Sequence, residues 1–440
     1  MRIDHTAADR PVAAAGRATI GGAATVLFLG LTAGVQMSDR GVHAIISPAV
    51  RATFQVGDAV MGALHGLAGI LVASALAVPL AKLADRHSRK AILLGLIFFW
   101  GMLTALGALA PNFALFFVGR AASGVTEFAM IPIVYSLIPD LVPDRWRVPA
   151  NLIFAALMAT GASAGFYLAG NLLDLAARVG AARGLDPWRA ALLLLSLSAI
   201  PLLVAGLATV DPPRARMAAV AARDESLLAF VVSQLRRILL FLGAAGGLAV
   251  AVQALTPMIA MALVRRFGSD TGAVGHALGL VTLASSLASL PAAGLFDRVL
   301  RDRLGEGARP TVMAVAAALA IPCAAGLAFA ASAGQAIGLV AAFLLTTCVA
   351  NALIPTMLQD LAPPALCARC FAAYSFLIAA FCAVGPLLSG LISQFVAHDD
   401  LLTAIAAASV GALLLAVVSA GLSRRMALAD KTFNPDACDT

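Results

Sequence analysis

The chain has 440 residues, 61% of them hydrophobic and only 12% charged, with a formal net charge of +7. A soluble domain carries about twice that share of charge, so lipid is the solvent for most of this chain, in line with its mean hydropathy of +0.95. The basic residues are spread over separate short loops, which argues against a nucleic-acid partner. The six cysteines form no disulfide framework, and the Cys367–Cys370 pair has neither a second pair nor a nearby His to make a metal or redox site.

A polar leader, 1–18, carries Arg2, Arg10 and Arg17. The apolar run after it is too long for a secretory signal, so the first span is retained. Twelve spans are predicted, at 19–48, 57–82, 90–109, 111–139, 148–173, 188–209, 238–264, 271–296, 310–331, 334–360, 366–396 and 400–423. They group into a first half, 19–210, and a second half, 238–424, followed by a tail, 425–440. Between the halves lies a basic linker, 211–237, opened by Asp211, Pro212 and Pro213; from Ser226 it reads as a short amphipathic helix running into span seven. An even number of spans puts both termini on one side. That side takes most of the 30 Lys and Arg residues, whereas the loops opposite hold Arg51, Arg178, Arg183, Arg189, Arg265 and Arg266. The positive-inside rule therefore places both termini in the cytoplasm, with the chain in the plasma (inner) membrane.

The two halves repeat one another. "SLIPDLVP" (136–143) matches "TMLQDLAP" (356–363), and "GFYLAG" (165–170) matches "GPLLSG" (385–390), both at an offset of 220; "LADR" (83–86) matches "LFDR" (295–298) at 212. This is the pattern of parallel six-helix repeats. The predicted fold class is thus an all-α integral membrane protein, twelve helices in two pseudo-symmetric halves.

"AKLADRHSRK" (81–90) resembles the loop motif of the major facilitator superfamily, with Asp85, Arg86, Arg89 and Lys90 in place and Ala81 and Ser88 where that motif has glycine. The second-half copy is "GLFDRVLRDR" (294–303), matching at Gly294, Asp297 and Arg298. Within the superfamily the chain resembles the Spinster-like transporters through "MSDRGVHAIISPAVRATFQVGDAVMGAL" (37–64), "GRAASGVTEFAMIPIVYSLIPDLVPDRWR" (119–147), "DPPRAR" (211–216) and "LQDLAPPALCARCFAAYSFLIAAFCAVGPLLSGLIS" (358–393). The resemblance implies helices around a central cavity that opens to alternate sides, and a lysophospholipid- or sphingolipid-like solute. It also implies that Asp85 caps a second-half helix and that Arg86 or Arg89 pairs with Asp140 or Asp144, contacts that hold the cytoplasmic side shut.

Ionisable groups inside spans are few and energetically unfavourable, so they are the functional candidates: Asp39, Arg40, Arg120 and Glu127. Asp39 lies about 15 Å and Arg120 about 14 Å from the side opposite the termini, by helical rise. An Asp39–Arg120 pair is therefore geometrically reasonable, while Arg40, about 100° further round the helix, cannot share that direction. Arg120, Gly124 and Glu127 share one face of span four. A static pair that fixes helix register is the bland reading, but buried pairs seldom stabilise more than apolar packing would.

At the repeat offset Arg120 corresponds to Val340 and Glu127 to Thr347, so the second half contributes an apolar or mildly polar wall, with Gln253, His276, Asn351 and Tyr374 as polar contributors. That wall suits either the tail of an amphipathic anion or plain helix packing. Proton coupling, if present, runs through Asp39 or Glu127. With no nucleophile–base pair, metal cluster or phosphate loop, and the six His residues scattered, an enzyme is not expected, and no cofactor or metal is. The expected partners are a small-molecule or lipid solute, protons and membrane lipids, bound by a monomer; a drug or metabolite carrier and an uncoupled facilitator are the alternatives.

Overall fold

A computed structural model of the protein describes residues 12–72, 75, 87–181, 184–209, 227–363 and 366–433. Its helices are α1 (Val12–Phe54), α2 (Asp58–Ala63, continuing as a π-helical segment, Leu64–Val72), α3 (Arg89–Ala108), α4 (Phe113–Leu141), α5 (Asp144–Ala181) and α6 (Pro187–Leu197, resuming as Ala199–Leu207). After a short helix, Leu227–Ser233, come α7 (Leu235–Leu255, resuming as Ile259–Phe267), α8 (Thr271–Leu304), α9 (Ala308–Ala328), α10 (Ala333–Leu361), α11 (Cys367–Phe395) and α12 (Leu401–Phe433). Among the described residues, eleven helices are long and apolar enough to cross a membrane. The remaining predicted span, 57–82, is α2, whose later part lies outside the described residues.

Several helices run past their predicted ends, among them α5, α8 and α12, and two local differences involve proline. The sequence ends span one at Pro48, yet α1 runs through it to Phe54. A single missing N–H is tolerated where neighbouring helices support the chain. The opposite outcome occurs at Pro257, where α7 breaks between Leu255 and Ile259. The short helix ahead of α7 falls where the linker was read as helical, and its Leu228 and Val232 are exposed.

The repeat is visible in detail. Asn112 caps α4 by accepting from the Leu115 N–H at 2.9 Å, and Ser332 caps α10 by accepting from the Gln335 N–H at 3.2 Å. These caps satisfy N–H groups that the helix itself leaves unpaired. At the other end Arg89 of α3 pairs with Asp140 of α4, and Arg309 of α9 with Asp360 of α10, again at the sequence offset.

Small residues bring the helices together. A Cβ on Gly165 of α5 would lie 2.2 Å from the Ser38 carbonyl oxygen of α1, so only glycine allows that approach. Gly161, against Gly34, and Gly165, against Ser38, thus form the small-residue face of the α1–α5 seam. Contacts between the halves cluster toward the face opposite the basic loops. There Gly170 of α5 meets Gly272 of α8, and a Cβ on Gly62 of α2 would lie 2.4 Å from the Pro386 carbonyl oxygen of α11. Leu106, Val204, Leu287, Leu319 and Val418 are exposed on the outer surface, as lipid-facing positions should be.

Candidate functional site

Helices α1 and α4 bring the four intramembrane charges into one cluster. Arg120 Nη1 donates to Asp39 Oδ2 at 3.0 Å and to Glu127 Oε1 at 3.0 Å, and Arg40 Nε donates to Glu127 Oε2 at 3.0 Å. Asp39 and Glu127 are fully buried and Arg120 nearly so, while 35% of the Arg40 side chain is exposed, with its guanidinium 4.6 Å from the centre of the Phe128 ring. Two cations and two carboxylates leave the cluster with no net charge. The expected Asp39–Arg120 pair is present, but Arg40, expected to face away from it, joins the same cluster through Glu127 because its long side chain reaches round α1. Not foreseeable from the sequence is that Glu127, about two turns further along α4, reaches back to accept from both arginines. The cluster is also incompletely satisfied. Asp39 Oδ1, Arg40 Nη2 and both amide atoms of Gln36 are buried without a hydrogen-bond partner among the described residues. Gln36 lies one turn before Arg40 and was not singled out from sequence.

A second polar set runs along α1 away from the cluster. Asp39, His43, Ser47 and Arg51 recur at four-residue intervals and so share a face. His43 Nδ1 lies 2.9 Å from the Asp39 carbonyl oxygen and 3.2 Å from Asp39 Oδ1. The Ser47 hydroxyl donates to the His43 carbonyl at 2.7 Å and lies 2.8 Å from His65 Nε2 of α2. The imidazoles were read as scattered; the one-turn spacing was the signal that could have joined His43 to Asp39, but the approach of His65 needs the tertiary fold.

At the end of that stripe sits a lock between the halves. Asp58, fully buried at the start of α2, accepts from Arg51 Nε at 2.8 Å, from Arg265 Nη1 and Nη2 at 3.0 and 2.8 Å, and from the Ser393 hydroxyl at 2.6 Å. Arg265 Nη2 also donates to the Asp399 carbonyl at 2.6 Å. Arg51 and Asp58 belong to the first half, Arg265 and Ser393 to the second, so the face opposite the basic loops is closed. In the sequence Arg51 and Arg265 stand as loop charges, and nothing there marks Asp58.

The other expected residues are dispersed. Gly124 is buried on α4 beside the cluster. His276 lies near the start of α8, with Nε2 3.1 Å from Asn171 Oδ1 and its ring against Tyr167, at a seam between the halves. Tyr374 packs on Phe241, Gln253 is half-buried and Asn351 is exposed. The repeat counterparts Val340 and Thr347 are fully buried. Among the expected gating residues, Arg89 pairs with Asp140, and Asp297 approaches Arg309 at 3.3 Å, while Arg298 follows it on α8. Asp85 and Arg86 lie outside the described residues. Among the described residues no group of His, Cys, Asp and Glu could hold a metal ion.

The family model of the major facilitator superfamily matches residues 29–386. An efflux pump of this type from Mycolicibacterium smegmatis is 24% identical over 403 residues, covering 90% of this chain and 89% of that protein. The human protein spinster homolog 1 is 27% identical over 181 residues, 40% of this chain and 32% of that protein. Among solved structures, a bacterial homologue of the human lysosomal transporter Spinster, in an inward-facing and unoccupied conformation, superposes with a TM-score of 0.76 at 18% identity, covering 94% of this chain and 98% of that one. The two six-helix halves, the repeat that relates them and the match over most of the sequence lead to one conclusion: the chain belongs to the major facilitator superfamily of transporters.

Proposed function

We propose that the protein is a proton-coupled secondary carrier of an anionic amphiphile, of lysolipid or sphingolipid-like chemistry, in the Spinster-like branch of its superfamily. It works as a monomer in the inner membrane, with both termini cytoplasmic. The observation that carries this reading is the charge-balanced cluster of Asp39, Arg40, Arg120 and Glu127, in which each arginine meets a carboxylate. While both carboxylates are ionised, each arginine already has a counter-charge and the site has no net attraction for an anion. A proton on one carboxylate leaves one positive charge over, directed by Arg40 and Arg120 at the head group. Asp39 is the better acceptor on geometry, because its Oδ1 makes no hydrogen bond whereas both oxygens of Glu127 are held. The uncharged counterparts of the cluster in the second half, Val340 and Thr347, support an apolar tail lying on that side.

Alternating access needs contacts present in one state only. The Arg51–Asp58–Arg265–Ser393 lock closes the outer side, and the loop charges Asp85, Arg86 and Arg298 do so on the cytoplasmic side, while Arg89–Asp140 and Asp297–Arg309, each within one half, brace the helix ends that carry them. Release of one set with closure of the other moves the solute across. A drug-like substrate is the second reading, supported by the full-length likeness to an efflux pump.

Reconstituted vesicles given a panel of lysophospholipids, sphingoid bases and cationic dyes under an imposed pH gradient test this reading. Saturable, gradient-dependent transport of the anionic lysolipids is expected. Transport of cationic dyes alone would select the second reading, and flux that ignores the gradient would remove the coupling.

A further inference from the structure

We infer that His65, Ser47 and His43 form a proton relay from the outer side of the protein to Asp39, with the Asp58 lock as its cover. This deepens the proposed coupling and rests on it. His43 and His65 are 6% and 9% exposed and Ser47 1%. Two buried imidazoles and a hydroxyl in an apolar half-membrane are unfavourable to place, and packing alone does not call for them. Nor are they scattered. One end of the set lies 3.2 Å from the unpartnered oxygen of Asp39, and Ser47 hydrogen-bonds both residue 43 and the ring of His65.

The surroundings narrow the role. On α4 the Phe116 ring lies 6.2 Å from the His43 ring, centre to centre, walling that side with an apolar group. The charged or titratable groups that act on His65 are His43 and Arg120; those facing Asp39 are His43, Arg120 and Glu127. His65 sits where α2 becomes π-helical, a winding that recurs at functional sites. One turn beyond Ser47, Arg51 binds Asp58, which lies two turns before His65 on α2. The lock therefore spans the outer end of the relay, and its release is the event that uncovers His65.

The transfer balances as one proton. A proton enters on the free ring nitrogen of His65, whose Nε2–H passes to Ser47 Oγ. The Ser47 hydroxyl, turned from the His43 carbonyl to the His43 ring, gives its own proton to that ring. His43 releases its Nδ1 proton to Asp39 Oδ1. Each imidazole ends in its other tautomer and resets when the next proton passes. Asp39 is neutralised, Arg120 is freed, and the anion site is switched on from the outside. Because the relay runs along α1, the proton and the solute reach the cluster by different routes.

The test uses the full-length protein in vesicles containing a pH-sensitive dye, with fluorescent lysophosphatidylglycerol as the probe. Proton movement coupled to lysolipid flux is compared with lysolipid counterflow at equal pH. For Ser47→Ala the expected result is a loss of at least tenfold in coupled proton flux, with counterflow reduced no more than threefold, and recovery in Ser47→Thr. His65→Gln, which keeps a partner for Ser47, should behave like Ser47→Ala and serves if that variant fails to fold. Coupled proton flux within twofold of wild type in both variants would overturn the relay. Wild-type vesicles that carry the lysolipid without protons would instead overturn the coupling itself.

Discussion

Replacing Asp58 by Asn should open the outer face. Asp58 accepts four hydrogen bonds, three of them from arginines, and joins Arg51 of the first half to Arg265 and Ser393 of the second. Asn keeps the shape but removes the charge and one acceptor oxygen. Removing one partner of a buried ion pair costs about 3–5 kcal/mol when the other stays buried. Here Arg51 and Arg265 are 31% and 28% exposed and recover part of their hydration. The appropriate loss is therefore that of one or two charge-assisted hydrogen bonds, about 1.5–3 kcal/mol. The lock holds only while the outer face is closed, so the whole loss appears as a shift toward the outward-open state, roughly ten- to a hundredfold. Spin labels at Gln55 and His398, exposed residues flanking the lock in opposite halves, report this as a growing long-distance population in pulsed electron resonance. Ser393→Ala, which removes a single neutral donor, should shift the same distribution by less. An unchanged distance distribution in both variants would refute the idea that these contacts hold the outer face shut.

Further outcomes follow from the same geometry. Asp39→Asn should abolish gradient-driven transport while exchange stays measurable; full gradient-driven transport would redirect attention to Glu127. Arg89→Asp and Asp140→Arg should each impair transport and recover in combination, and cysteine labelling from the cytoplasm should show that side opening more often in the single variants. Gly165→Leu should lower thermal stability, because a Cβ there meets the Ser38 carbonyl at 2.2 Å and overpacking typically costs about 1–3 kcal/mol. An unaltered melting temperature would contradict the close α1–α5 seam.

Much of the architecture was legible because the membrane imposes it. Hydrophobic run length marks spans, and the offset of 220 found in the sequence reappears in the caps at Asn112 and Ser332 and in the Arg89–Asp140 and Arg309–Asp360 pairs. Helical rise alone was enough to match the depths of Asp39 and Arg120. It was not enough for Glu127, because a long Arg side chain spans the intervening distance and a ladder of Cα heights ignores side-chain reach. The lock was illegible for a different reason. Asp58, Arg265 and Ser393 are remote in sequence and meet only when α2, α7 and α11 converge. An acid at a helix start reads equally well as a solvated cap. His276 shows the converse: a lone polar residue in a span suggests a cavity wall, but it stands at a seam with Asn171.

The central claim is that a proton on Asp39 releases Arg120 to an anionic head group. The direct measurement is the affinity of an anionic lysolipid as a function of pH, in wild type and in Asp39→Asn. A freed arginine contributes about 1.5–3 kcal/mol, so wild-type affinity should tighten roughly ten- to a hundredfold as pH falls. The variant should bind tightly at every pH. A wild type whose affinity ignores pH, or an Asp39→Asn variant that keeps the wild-type pH dependence, would contradict the account.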